Sequence, residues 1–164
     1  MLNEKELLDY LNSHGIAYRY VAHPPVYTCE QAEALRPDLP GVSTKNLFLR
    51  DEKKHFYLVM TACEKRLDLK ALGRSLNAPK LQFGDEQRLM EMLGVTPGAV
   101  TVLGLVNDTG FQVRLVVDEE VWAGEYFMCH PLINTATLLL KHMDLLRFFE
   151  LSGHTPLVRP IPAR

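Results

Sequence analysis

What this chain lacks narrows its chemistry first. Its three cysteines, Cys29, Cys63 and Cys129, are odd in number and widely spaced, with no C-x-x-C pair. Neither a disulfide framework nor a zinc site is written locally, and all three are read as reduced thiols. The histidines at 14, 23, 55, 142 and 154 show no i, i+4 pairing or other ligand spacing, so no metal or cofactor is expected. No apolar run approaches the roughly 18 residues a membrane span requires. The start, Met1-Leu2-Asn3-Glu4-Lys5-Glu6, is too charged for a signal peptide. A cytoplasmic protein without membrane contact is expected. Walker and Rossmann glycine patterns are also missing, which leaves nucleotide-cofactor chemistry unsupported.

What is present fits an ordinary α/β protein. With 47% hydrophobic and 23% charged residues among 164, the chain can bury one sizeable core, and residues 1–164 are expected to form a single domain. The formal charge is only −2, which argues against general adhesion to nucleic acid. Between Lys45 and Lys80, however, nine Lys/Arg face four Asp/Glu, a surplus of five that leaves the rest of the chain at −7. That run is either a solvated face or a local patch that steers one polyanionic ligand.

Local signals predict the elements. Asn3 and Glu6 form a capping-box start for a helix to about His14, stopped by Gly15. Residues 17–22 read as a strand broken by His23-Pro24-Pro25. Thr28-Cys29-Glu30-Gln31 opens a helix to about Arg36, ended by Pro37 and Pro40-Gly41. Leu47-Phe48-Leu49 and the run 56–60 form a hairpin of central strands. Asp68 and Asp85 cap helices at 69–76 and 86–93. Residues 100–106 and 112–117 read as a second hairpin about Asn107-Asp108-Thr109-Gly110. Strands at 124–128 and 136–140 and a helix at 143–151 precede a proline-containing tail. The fold class is thus a mixed, largely antiparallel sheet flanked by helices.

The most informative stretch is Ser43-Thr44-Lys45-Asn46-Leu47-Phe48-Leu49, which sets a cation and a carboxamide at the mouth of an apolar strand. A lone lysine is otherwise exposed and inert. Lys45 and Asn46 point to opposite faces of a regular strand, so one pocket holds both only if the backbone twists or bulges. Gly94-Val95-Thr96-Pro97-Gly98 is a helix stop followed by a tight loop: a plain connector, or a backbone nest for phosphate or ribose. Cys129-His130 cannot pair as nucleophile and base from one strand. The kink His130-Pro131-Leu132-Ile133-Asn134-Thr135 can bring an imidazole, an amide and a hydroxyl to a cavity, though a structural histidine satisfies it equally.

Taken together, Thr44-Lys45-Asn46-Leu47-Phe48-Leu49, the Gly94–Gly98 loop, the run Val100–Asp108 and His130-Pro131-Leu132-x-Asn134-Thr135-Ala136-Thr137 resemble the free-standing relatives of the bacterial prolyl-tRNA synthetase editing domain. The likeness is nearest the alanyl-tRNA(Pro) deacylase branch called ProX, and it runs almost end to end. It implies a single YbaK-like α/β domain with a curved mixed sheet. The activity implied is hydrolysis, in trans, of the ester between a mischarged small amino acid and the 3′ end of tRNA, with prolyl-tRNA synthetase a candidate partner. It assigns Lys45 as the essential lysine, Asn46 as its companion, the loop from Gly94 to Pro97 as the holder of the terminal adenosine, and His130 as a pocket wall. Tyr20, Val26 and Leu47 are expected to shape the cavity. Thr101-Val102 carry no specificity mark. Two further readings remain: a non-catalytic tRNA or DNA binder using the 45–80 patch, and a small-molecule hydrolase using Cys129 or His130.

Overall fold

The computed structural model describes residues 1–35, 40, 41 and 43–164, with the backbone alone at Leu35. Helix α1, Glu4–Ser13, begins as its sequence dictates: the Asn3 side chain accepts from the Glu6 N–H while the Glu6 carboxylate returns to the Asn3 N–H. Strand β1 is Arg19–Ala22 and helix α2 is Cys29–Leu35, the latter opened by Thr28 Oγ1 accepting from Gln31 N at 3.1 Å. The helix end expected near Arg36 and Pro37 lies outside the described residues. Strands β2, Thr44–Arg50, and β3, Phe56–Ala62, form the expected central hairpin in unbroken register from Thr44↔Ala62 to Arg50↔Phe56. Its turn is organised by buried Asp51, which accepts from Lys53 N, His55 N and Tyr57 Oη within 2.8–2.9 Å.

Helices α3, Leu69–Leu76, and α4, Glu86–Leu93, are capped by Asp68 and Asp85 and bracket a two-residue strand β4, Gln82–Phe83. The expected second hairpin is not formed. Residues 102–107 are a 3-10 helix with Thr101 Oγ1 accepting from Leu103 N, and only β5, Val113–Asp118, is a strand. Gly104 explains why: a Cβ there would sit 3.1 Å from Leu93 Cβ and 3.2 Å from Leu93 O, so this apolar run packs as a compact coil on α4. A short continuous apolar run cannot be assigned to strand or helix by periodicity. The chain continues through α5, Glu119–Trp122, β6, Tyr126–Cys129, β7, Ala136–Lys141, α6, His142–Ser152, and β8, Leu157–Arg159.

The strands divide into two sheets, a three-stranded antiparallel β1-β7-β6 and a five-stranded mixed β4-β2-β3-β5-β8 with β3–β5 and β5–β8 parallel. Alternation along β3 assigns the faces. Phe56, Leu58 and Met60 join Phe127, Leu138, Leu140, Phe148 and Phe149 in the core between the sheets and α1, α4 and α6. Tyr57 and Val59 join Leu49, Leu72, Leu76 and Ile161 in a second core beneath α3 and the C-terminal tail. Lys45 shares its parity with Leu49, whereas Asn46 shares it with Phe48. No helix among the described residues is long and apolar enough to cross a membrane.

The junction before β5 is locked by a buried trio. Asp108 Oδ2 receives the His154 ring at 2.8 Å and Val113 N–H at 2.8 Å, and Oδ1 receives Gln112 N–H at 3.0 Å. Ser152 Oγ lies 3.0 Å from His154 Nδ1 but donates its proton to the Phe149 carbonyl, so this serine is a brace rather than a nucleophile. Burial alone would raise the Asp108 pKa, but these hydrogen bonds outweigh it and hold the carboxyl below 3.8; Asp51 is depressed in the same way. A depressed acid stabilises the fold above its unfolded pKa, and that contribution disappears as pH falls through the lower folded value. The free energy of urea unfolding should therefore decline steeply below about pH 3.8, and Asp108→Asn should flatten that decline. An acid limb identical in parent and variant would contradict this assignment.

Candidate functional site

The site grows from an edge left open in the large sheet. Strand β4 reaches only Leu49 and Arg50, so the first residues of β2 are paired on the β3 side alone. A cavity of about 190 Å³ borders this stretch, and both Lys45 and Asn46 line it. No bulge is needed, because the register with β3 is continuous. Thr44, Lys45 and Asn46, residues of both parities, nevertheless border this one hollow at the strand's end.

Lys45 is partly buried and its ammonium donates to the backbone carbonyl of Lys65. Burial lowers its pKa below 10.5, and the neighbouring Arg66 cation lowers it further. A desolvated cation held by one neutral carbonyl keeps its charge uncompensated, which suits it to an anionic or polarised oxygen ligand. On the same strand, the buried Asn46 Oδ1 and Thr44 Oγ1 have no hydrogen-bond partner among the described residues. Orphaned buried acceptors are costly, and at a cavity wall they mark groups a ligand can satisfy.

The facing wall comes from the segment before and within α2. Val26, Tyr27, Thr28, Cys29 and Ala32 line the cavity. A reciprocal pair fixes this segment to the 130–135 kink: Val26 N donates to Asn134 O at 3.3 Å, and Asn134 Nδ2 donates to Val26 O at 3.1 Å. Pro97 and Gly98 close one end. Gly98 leaves room for the Tyr27 ring, which a Cβ would meet at 3.0 Å. A covalent tie completes the wall, because Cys29 and Cys63 form a disulfide and both border the cavity. This corrects the reading of all three cysteines as reduced thiols. The two partners are 34 residues apart, and only tertiary folding brings them together.

His23 and His130 meet at the third side, with ring centroids 6.1 Å apart. His130 Nδ1 donates to Ala136 O at 3.0 Å, and burial holds its pKa below 6.5 despite that bond, so the ring is neutral near neutral pH. His23 Nδ1 donates to Pro24 O and its Nε2 accepts from Thr137 Oγ1, each at 2.8 Å. Cys129 also touches the cavity, but complete burial pushes its thiol up to about 12. It is protonated at physiological pH and is no nucleophile.

Of the residues singled out by sequence, Lys45, Asn46, Val26, Pro97, Gly98 and His130 meet at this cavity. Tyr20, Leu47, Gly94, Val95 and Thr96 are not among its lining residues. Tyr20 lies on β1 and donates to Glu4 at 2.9 Å. Leu47 packs on the second core. Gly94 is the left-handed cap of α4, and its N–H is already given to Met90 O. Val95 is buried in the first core, and Thr96 caps the 97–99 turn. Sequence reading missed His23, Tyr27 and the disulfide, and quoted Thr137 in the His130 motif without giving it a site role. His23 looked like a strand breaker because of the prolines after it, and nothing local marked it as a cavity residue.

The sequence profile of the aminoacyl-tRNA editing domain matches residues 23–148. The prolyl-tRNA editing protein ProX of Acetoanaerobium sticklandii is 36% identical over 146 residues, covering 88% of this chain and 89% of its own. Prolyl-tRNA synthetase associated domain-containing protein 1 of Danio rerio is 40% identical over 156 residues, covering 94% and 85%. The crystal structure of a candidate trans-editing enzyme for prolyl tRNA synthetase superposes with a TM-score of 0.72 at 20% identity, covering 100% of this chain and 99% of that one. At that identity the likeness speaks for the fold. On the profile match and the two curated relatives, the chain belongs to the aminoacyl-tRNA editing domain family.

Proposed function

We propose that the protein is a trans-acting aminoacyl-tRNA deacylase that hydrolyses mischarged tRNA, with alanyl-tRNA(Pro) as its substrate and the cavity at Lys45 as its active site. The observation that carries this reading is that Lys45 and Asn46 line one cavity, where the buried Asn46 Oδ1 has no partner among the described residues, in a chain of the editing family.

The chemistry asks little of the protein. An aminoacyl ester is already activated, so the tasks are to hold it, admit a water and stabilise the developing oxyanion. The water oxygen attacks the ester carbonyl carbon, and a tetrahedral oxyanion forms. The bond to the ribose oxygen then breaks, and the water's proton ends on that ribose hydroxyl, with the vicinal hydroxyl as relay. Lys45 either faces the oxyanion or grips the terminal phosphate, and Asn46 Oδ1 accepts from a substrate N–H or hydroxyl. No protein nucleophile is required, which agrees with a protonated Cys129. The wall made by Val26, Tyr27 and Ala32 acts by size, admitting a methyl side chain and turning away a pyrrolidine ring.

Lys53, Lys70, Arg74 and Lys80 border a second, shallow cleft along α3. This favours contact with a phosphate backbone and keeps a purely tRNA- or DNA-binding role as the alternative. Incubation with alanyl-tRNA(Pro) and prolyl-tRNA(Pro) separates the two. A deacylase releases alanine and spares proline, whereas a binder retains both tRNAs with a steep salt slope and leaves the ester half-life unchanged.

A further inference from the structure

We infer that Lys65, anchored by its ion pair with Asp118, is a positioning residue for the Lys45 ammonium. This rests on the deacylase reading for its catalytic meaning, but not for its geometry. The Lys45 ammonium has one described protein acceptor, the backbone carbonyl of Lys65. The aim of Lys45 therefore depends on where residue 65 is held.

Residue 65 is held unusually firmly. Its N–H donates to Ala62 O at 3.1 Å. Its ammonium reaches Asp118 Oδ2 at 2.8 Å, Ile161 O at 3.1 Å and Glu120 Oε2 at 3.3 Å. Those three acceptors match the three N–H donors of a lysine. Asp118, fully buried at the end of β5, is itself fixed by Thr61 Oγ1 at 2.7 Å and by Glu120 N–H at 3.1 Å. Thr61 is the β3 partner of Lys45 in the sheet register. The ion pair thus spans β5, β3 and the turn that follows β3, and it ends on the carbonyl that receives Lys45.

Stability is a poor reason for such a pair, because removing two charges from water costs about what their attraction returns, and an apolar replacement is often neutral. Positional specificity gives it a use. Asp118 and Glu120 also absorb the Lys65 charge, so Lys45 sits next to a compensated cation instead of a second one that repels it as Arg66 does. Coulombic repulsion from Arg66 already lowers the Lys45 pKa.

Lys65→Met keeps the aliphatic stem and removes the donors; Glu120→Gln, at an exposed carboxylate, is the milder change. Lys45 is read directly by limiting acetylation across a pH series, with mass spectrometry of its peptide. In Lys65→Met the midpoint of Lys45 labelling is expected to move up, because a cation is lost and Asp118 is left unpaired, while the rate on the alkaline plateau rises several-fold as the Lys65 carbonyl loosens; Glu120→Gln, which removes an anion, should move the midpoint slightly down. With alanyl-tRNA(Pro), kcat should fall about 10- to 100-fold with KM nearly constant, and Lys65→Arg should recover most of it. Labelling profiles identical to the parent in both Lys65→Met and Glu120→Gln would overturn the inference. A parent without deacylase activity but with shifted labelling in the variants would sink the proposed function and leave the positioning intact.

Discussion

Lys45→Ala is expected to lower the single-turnover rate of alanyl-tRNA(Pro) hydrolysis by about 10²–10³-fold, the cost of removing one preorganised donor facing a developing charge. The magnitude follows from the surroundings. The ammonium is partly desolvated, and among the described residues its hydrogen-bond partner is an uncharged carbonyl rather than a carboxylate. In a site that excludes water such a charge is worth more than in solution. Lys45→Arg should rescue little, because a planar fork cannot replace a compact cation on a four-carbon stem. The fold should survive both changes, since Lys45 belongs to neither buried core and its loss removes one hydrogen bond. The measurement is release of alanine with enzyme in excess, beside a thermal melt. Equal rates in parent and Lys45→Ala would remove this cavity from consideration as the active site.

How far the sequence could lead depended on the range of each signal. Capping is local, so α1, α3 and α4 were legible within a residue at most positions: Asn3 with Glu6, Asp68 and Asp85 each act within one turn. The β2–β3 hairpin was legible from its apolar runs and charged turn. The run at 100–106 was not, because its assignment depends on the contact of Gly104 with Leu93 on another element. Strand β8 was hidden for a similar reason: it is three residues at a sheet edge between Pro156 and Pro160, stabilised by pairing with β5. The cavity followed the same rule. Lys45 and Asn46 stood out because a cation and an amide interrupt an apolar strand. Tyr27 looked ordinary, and Thr137, though part of the motif that begins at His130, had no assigned role; the folded chain brings both to the cavity.

Reduction of the disulfide is expected to lower global stability by about 3–4 kcal/mol, the loop-closure entropy for partners 34 residues apart. Pairing across that distance cannot be read from spacing, which is why an odd count without a C-x-x-C motif pointed toward free thiols. The consequence extends to the site, because the bond joins α2 to the residue that follows β3, and both half-cystines border the cavity. Without it, α2 keeps the hydrogen bond from Ser43 Oγ to Glu33, and the segment before it keeps the Val26–Asn134 pair, but no covalent tie remains. The wall proposed to size the amino acid is then expected to open at lower free energy than in the oxidised protein. Urea unfolding with and without a dithiol should therefore show a lower midpoint in the reduced protein. Discrimination between alanyl- and prolyl-tRNA(Pro) should narrow under the same conditions. Cys29→Ser combined with Cys63→Ser should resemble the reduced protein and ignore the dithiol, while Cys129, buried and protonated, stays unlabelled by iodoacetamide until unfolding. A midpoint unchanged by reduction, with alkylation proving that both sulfurs were free, would show that the bond contributes nothing to the wall it closes.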